Sequence, residues 1–221
     1  MEPFDCSPGV ASLVGPYPDK DSLVAAIRAH RRSRKVIARL WLSEGIPYAF
    51  REAPGIYEEL RLFLAACLGA DPKETTVVGS GRCGVSLAPG GQLGAPFGPG
   101  SDLDMAVVSD TLFAEMRDAF TRWKDDYESG RAQPRNAREE NYWQDNAERC
   151  PSNLRRGFID PYKIPNFDRY PEAQRVAHCL WRANKRLAAT PQVPPVKGIS
   201  LRVYQSWDCF VRQMTLNLTA L

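Results

Sequence analysis

The chain has 221 residues, room for one domain or a core with a helical extension, and 43% of them are apolar, which excludes global disorder. No apolar run approaches the roughly 20 residues that span a bilayer. The opening MEPFDCSPGV carries acids and a proline where a secretory leader carries basic and then apolar residues, so a soluble, cytoplasmic protein without a membrane partner is expected. Net charge is only +3, so attraction to nucleic acid has to come from local patches. Six scattered cysteines without a CxxC pair, and only two histidines (His30 and His178), leave zinc few ligands; free thiols are expected.

Residues 1–19, rich in Pro and Gly, read as a loop or arm. A helix is expected over 21–43, stopped by Gly45 and Pro47, and it has no acid between Asp21 and Glu44. Arg28, Arg31, Arg32, Lys35 and Arg39 recur at helical spacings and share a face, with Arg34 nearby. A solvated helix face is the ordinary explanation; contact with nucleic acid or another subunit is the alternative. Pro54 opens a second helix that ends near Leu68 and Gly69. TTVVG (75–79) reads as a buried strand, 80–100 as a Gly/Pro loop, and 102–108 as a second strand.

A helix follows over 111–129, capped by Ser109 or Asp110, with Phe113, Met116, Phe120, Trp123 and Tyr127 on its buried stripe. Residues 130–170 read as an irregular excursion with a short helix near 137–148. A helix over 172–188, a Pro-rich linker, a strand over 199–205 and a final helix capped by Ser206 complete the chain. This divides into an N-terminal arm and basic helix (1–45) and a main domain (46–221). The fold class is α+β, a small mixed sheet backed by helices.

The chemistry concentrates in 77–108. Side chains at i and i+2 of a strand share a face, so Asp102 and Asp104 point the same way at the mouth of a strand. Two close carboxylates repel and ordinarily need a cation. An oxygen-only donor set suits Mg²⁺ together with substrate phosphates. Upstream, Val78-Gly79-Ser80-Gly81 leaves a strand for a short helix, where backbone N–H groups and the Ser80 hydroxyl can meet phosphate oxygens. Arg82, two residues on, is a further candidate phosphate ligand. The plain alternative for the two acids is a solvated strand start; the upstream VVGS and the apolar residues on both strands favour a metal site.

Gly79-Ser80 followed by Asp102-x-Asp104 resembles the polymerase β-like nucleotidyltransferase superfamily, over about residues 54–125. The longer pattern GSGRCGVSLAP with SDLDMAVVSDTLF is similar to small bacterial nucleotidyltransferases of anti-phage defence and toxin–antitoxin loci. The resemblance implies the polymerase β-like fold, a triphosphate held at Gly79 and Ser80, and Mg²⁺ (or Mn²⁺) on Asp102 and Asp104. It further implies transfer of a nucleotidyl group from an NTP or dNTP to a hydroxyl, with release of pyrophosphate. The product would be an oligonucleotide or nucleotide signal in defence. The alternatives are antitoxin-like adenylylation of a protein or tRNA, and a degenerate module that binds nucleotide or nucleic acid without turnover. A homo-oligomer and a cognate effector or toxin are candidate partners. Two features depart from the family pattern. The spacer from Ser80 to Asp102 is long, and the third acid expected on a later strand is missing from ISLRVYQ, whose equivalent face carries Arg202 or Tyr204. Asp208, just beyond, is the candidate substitute. Tyr204 and Trp207 are candidates for stacking on a base.

Overall fold

The computed structural model describes Cys6, residues 8–90 and residues 92–221, so part of the expected N-terminal arm, and Gly91 of the Gly/Pro loop, lie outside the described residues. In chain order come helices α1 (Pro8–Ala11), α2 (Lys20–Ala29), α3 (Arg31–Leu40) and α4 (Pro54–Leu68), strand β1 (Thr75–Val78), the short helix α5 (Ser80–Cys83) and strand β2 (Leu103–Val108). Then follow α6 (Asp110–Glu128), α7 (Ala137–Arg155), β3 (Phe158–Ile159), α8 (Pro171–Ala188), β4 (Ile199–Tyr204) and α9 (Trp207–Asn217). The strands form one mixed sheet in the order β1-β2-β4-β3, an α+β arrangement. β2 pairs antiparallel with β1 and parallel with β4, and β3 pairs antiparallel with β4.

Alternation along the strands builds two different faces. Val77, Leu103, Met105, Val107, Leu201 and Val203 belong to the main core, against α4, α6 and α8. On the other face, Ala106, Val108 and Tyr204 pack against Phe210 and Val211 of α9 and Ala38 of α3. The apolar cover of this second face stops at the Asp104 end, and a cleft opens there.

Local signals account for most helix ends. Pro54 occupies the first turn of α4, and Gly69 closes it in the left-handed region (φ 69°), donating its N–H to Ala65. Ser109 and Ser206 cap α6 and α9, accepting from the N–H groups of Leu112 and Cys209. The single helix expected over 21–43 is instead two. His30 is extended (φ −158°, ψ 142°), and its Nδ1 accepts the N–H of Arg32, so it ends α2 and caps α3. The stretch 130–170 contains a 19-residue helix with Pro151 inside it, and the edge strand β3.

Cys67, Cys83, Cys150, Cys179 and Cys209 are free thiols. No helix among the described residues is long and apolar enough to cross a membrane.

Trp123 anchors the main core. It is fully buried, with the rings of Phe120, Trp143 and Tyr127 at 5.3, 5.8 and 5.9 Å between centroids. Removing such a ring leaves a cavity as well as losing its burial. Trp123→Ala is therefore expected to lose about 3–5 kcal/mol in urea unfolding. A loss below about 1 kcal/mol would contradict its place in the core.

Candidate active site

The register of β2 organises the site. Asp104 stands opposite Val78 on β1 and Ser200 on β4. Asp102 precedes it by two residues and shares its face. Immediately after Val78 the chain turns at Gly79, with φ 66° and ψ −149°, and enters α5 at Ser80. A Cβ at Gly79 would lie 3.0 Å from Asp104 Oδ2. Glycine is required there twice over, by the positive φ and by the carboxylate against which the backbone is laid.

Gly79, Ser80, Asp102 and Asp104 line one cavity of about 830 Å³. The Gly/Pro segment forms another wall, through Ser86, Pro89 and Gln92. This segment folds back on itself: Val85 bridges Pro96, and the Phe97 N–H donates to Gly84. Met214, Asn217 and Leu218, at the C-terminal end of α9, close the far side. Among the described residues Asp102 and Asp104 are the only acids of the lining, and Lys197 is its only Lys or Arg.

The two carboxylates differ in surroundings. Asp102 is exposed, whereas Asp104 is half-buried and its Oδ1 accepts the Ser200 hydroxyl at 2.6 Å. Burial pushes the Asp104 carboxyl above its ordinary 3.8. The Ser200 bond draws it down, the Asp102 charge pushes it up, Arg202 draws it down again, and Asp160 pushes it up. Arg202 is itself committed: its Nε and Nη2 donate to Asp160 Oδ1 and Oδ2 at 2.6 and 3.0 Å, and its guanidinium lies 4.7 Å from the centre of the Phe158 ring. Asp160 is 7% exposed, so the pair is a bidentate bridge tying β3 to β4.

Three expectations are corrected. Arg82 is buried and faces away from the cleft, donating from Nε to the Trp41 carbonyl at 3.2 Å and from Nη1 to the Gly45 carbonyl at 2.7 Å. It secures the chain leaving α3, and desolvation is the main cause lowering its pKa. Asp208 is not beside the pair. Tyr204 is level with Val108, four residues from Asp104 or about 13 Å along the strand, and Asp208 lies further on in the first turn of α9. Neither stacking candidate reaches the cleft: Tyr204 is buried against Phe158 and Phe210, and Trp207 lines a different cavity at the opposite end of α9. Three site residues escaped the sequence reading. Ser200 required the β2–β4 register, Asp160 required β3, and Lys197 sits in a Pro-rich linker with no motif around it.

Among the described residues, no group of three or more His, Cys, Asp or Glu side chains is placed to hold a metal ion. What the cleft offers is two carboxylates, with the Ser200 hydroxyl bonded to one of them. Hard oxygen donors of this kind fit a divalent cation that keeps several waters or takes phosphate oxygens as its remaining ligands.

The raised pKa of Asp104 makes its charged form a burden on the fold. Its stabilising contribution is full below 3.8, the unfolded value, and is lost as pH rises through the higher folded value. Asp104→Asn is therefore expected to melt above the wild type at pH 7 without divalent ions, with the gap closing as pH falls towards 3.8. A variant that melts lower at pH 7 would contradict this account. No protein-family model, curated protein or solved structure matches the chain, so its function has to be read from this cleft.

Proposed function

We propose that the cleft binds a nucleoside triphosphate with Mg²⁺, or Mn²⁺, and moves its nucleotidyl group to a hydroxyl acceptor, releasing pyrophosphate. The observation that carries this reading is the pairing of Asp102 and Asp104, on one strand face, with the Gly79-Ser80 turn in a cavity of nucleotide size. Two acids at the mouth of a strand, one of them raised in pKa by burial, form a site that a cation would relieve.

Each group then has a task. The Ser200 hydroxyl holds Asp104 by Oδ1 and so fixes its direction. Gly79, lacking a side chain, lets a phosphate approach the backbone. The Ser80 hydroxyl and the first N–H groups of α5 donate to phosphate oxygens. Lys197 offsets charge at the rim. An ion held by Asp102 and Asp104 would supply Lewis-acid polarisation of the phosphoryl group and would lower the pKa of an attacking hydroxyl. With Asp104 Oδ1 engaged by Ser200, Asp102 is the more exposed of the two carboxylates. The motif resemblance favours an oligonucleotide or nucleotide signal of anti-phage defence as product, with adenylylation of a protein or tRNA as the alternative acceptor chemistry.

A second reading, nucleotide binding without turnover, draws on one observation. The strand position opposite Asp104 carries Ser200, and Arg202 on the same face is neutralised by Asp160, so no third carboxylate lines the cleft among the described residues.

The test is incubation with each labelled NTP and dNTP plus Mg²⁺ or Mn²⁺, followed by separation of products by size. Pyrophosphate release is expected, with a loss of about 100-fold or more in the variant carrying both Asp102→Ala and Asp104→Ala. Unchanged turnover in that variant would overturn the site. Binding of ATP with no product under any condition would select the second reading.

A further inference from the structure

We infer that the exposed basic face of α3 is a track for a single nucleic-acid strand, leading from the rim of the carboxylate cleft to a second cavity beside Trp207. Arg31, Arg32, Lys35 and Arg39 are exposed on α3, while Ser33, Ile37 and Ala38 are buried. Among the described residues none of these four cations takes part in an ion pair. No acid falls between Asp21 and Glu44 to offset them. An ordinary solvated helix mixes signs; this one does not.

The ends of the row identify its course. Arg28, at the end of α2 next to α3, donates from Nε to the Leu221 main-chain oxygen at 2.8 Å, and the adjacent Ala220 lines the carboxylate cleft. At the other end, Arg39 and Ser43 line a cavity of about 650 Å³. Lys73 adds a further cation there, as does Arg61, itself paired with Glu58 at 3.2 Å, and Glu44 is the only acid of the lining among the described residues. Tyr57 and Trp207 contribute aromatic rings, Trp207 being 40% exposed. Thr75, also in the lining, has a buried hydroxyl with no hydrogen-bond partner. Trp207 begins α9, whose other end closes the carboxylate cleft, so the two cavities are separated by roughly the 16 Å length of that helix.

Chemistry selects the occupant. Arg31, Lys35 and Arg39 recur about every 6 Å along α3, a spacing that a flexible phosphate backbone can follow. Three of the four cations are arginines, whose planar fork suits phosphate. A cationic cavity with an exposed indole suits an unstacked base. A duplex keeps its bases stacked inside.

The track is independent of the transfer chemistry, and its test needs neither metal nor nucleotide. Fluorescence anisotropy of a labelled single strand of about 12 nucleotides, in EDTA, reads binding directly. Four phosphate contacts predict that log K falls with log salt at a slope of about −2.8. The combined variant Arg31→Glu, Lys35→Glu and Arg39→Glu is expected to weaken binding more than about 30-fold and flatten the slope. Trp207→Ala should weaken it about tenfold and leave the slope unchanged. Absence of binding at low salt, indifference to charge reversal, equal affinity for a duplex, or attachment to anionic vesicles with no affinity for the strand would each overturn the inference.

Discussion

The parallel register between β2 and β4 is the constraint from which the rest follows. It sets Leu103, Met105 and Val107 level with Ile199, Leu201 and Val203, all in or packed against the main core. The same register brings Asp104 level with Ser200 on the opposite face. A slip of one residue would exchange the two faces, burying the carboxylate and exposing the core. Parallel strands need a long crossover, and here it supplies α6, α7, β3 and α8 before the chain returns as β4. Core and cleft are two consequences of one pairing.

The cleft carries a tension that the fold contains without removing. Asp104 is half-buried, close to a second acid, and held by a neutral hydroxyl. Arg202, half-buried on that face, is turned to the buried Asp160 and stiffens the sheet edge. Breaking such a bridge at one partner leaves a charge without compensation, so its place in the architecture is structural as well as electrostatic. Among the described residues neither Asp102 nor Asp104 takes part in an ion pair. Buried groups with perturbed pKa values in a cleft are where ligand chemistry concentrates.

Much of this was legible in the sequence, for identifiable reasons. TTVV, LDMAVV and ISLRVY are β-branched or alternating runs bounded by Gly, Ser and Pro, and each is a strand. The i, i+2 acids and the Gly-Ser turn belong to adjacent strands and do meet. What could not be read depended on distant partners or on a single dihedral. His30 breaks a helix by its backbone conformation, with no glycine or proline to announce it. β3 has two residues, too few to show a period, and it positions Asp160 for an arginine 42 residues away. Arg82 follows the Gly-Ser turn as a phosphate ligand would, but α5 directs it to the carbonyls of Trp41 and Gly45. Lys197 reaches the cleft only because β4 begins beside Asp102.

The proposed function rests on a divalent cation shared by Asp102 and Asp104 with the phosphates of a nucleotide. A crystal structure with Mn²⁺ and a non-hydrolysable nucleoside triphosphate, read by anomalous scattering, tests it most directly. A manganese peak is expected within about 2.2 Å of oxygens from both aspartates, with the triphosphate against Gly79 and Ser80. A nucleotide seated elsewhere, or a cleft free of manganese at saturating concentration, would contradict it.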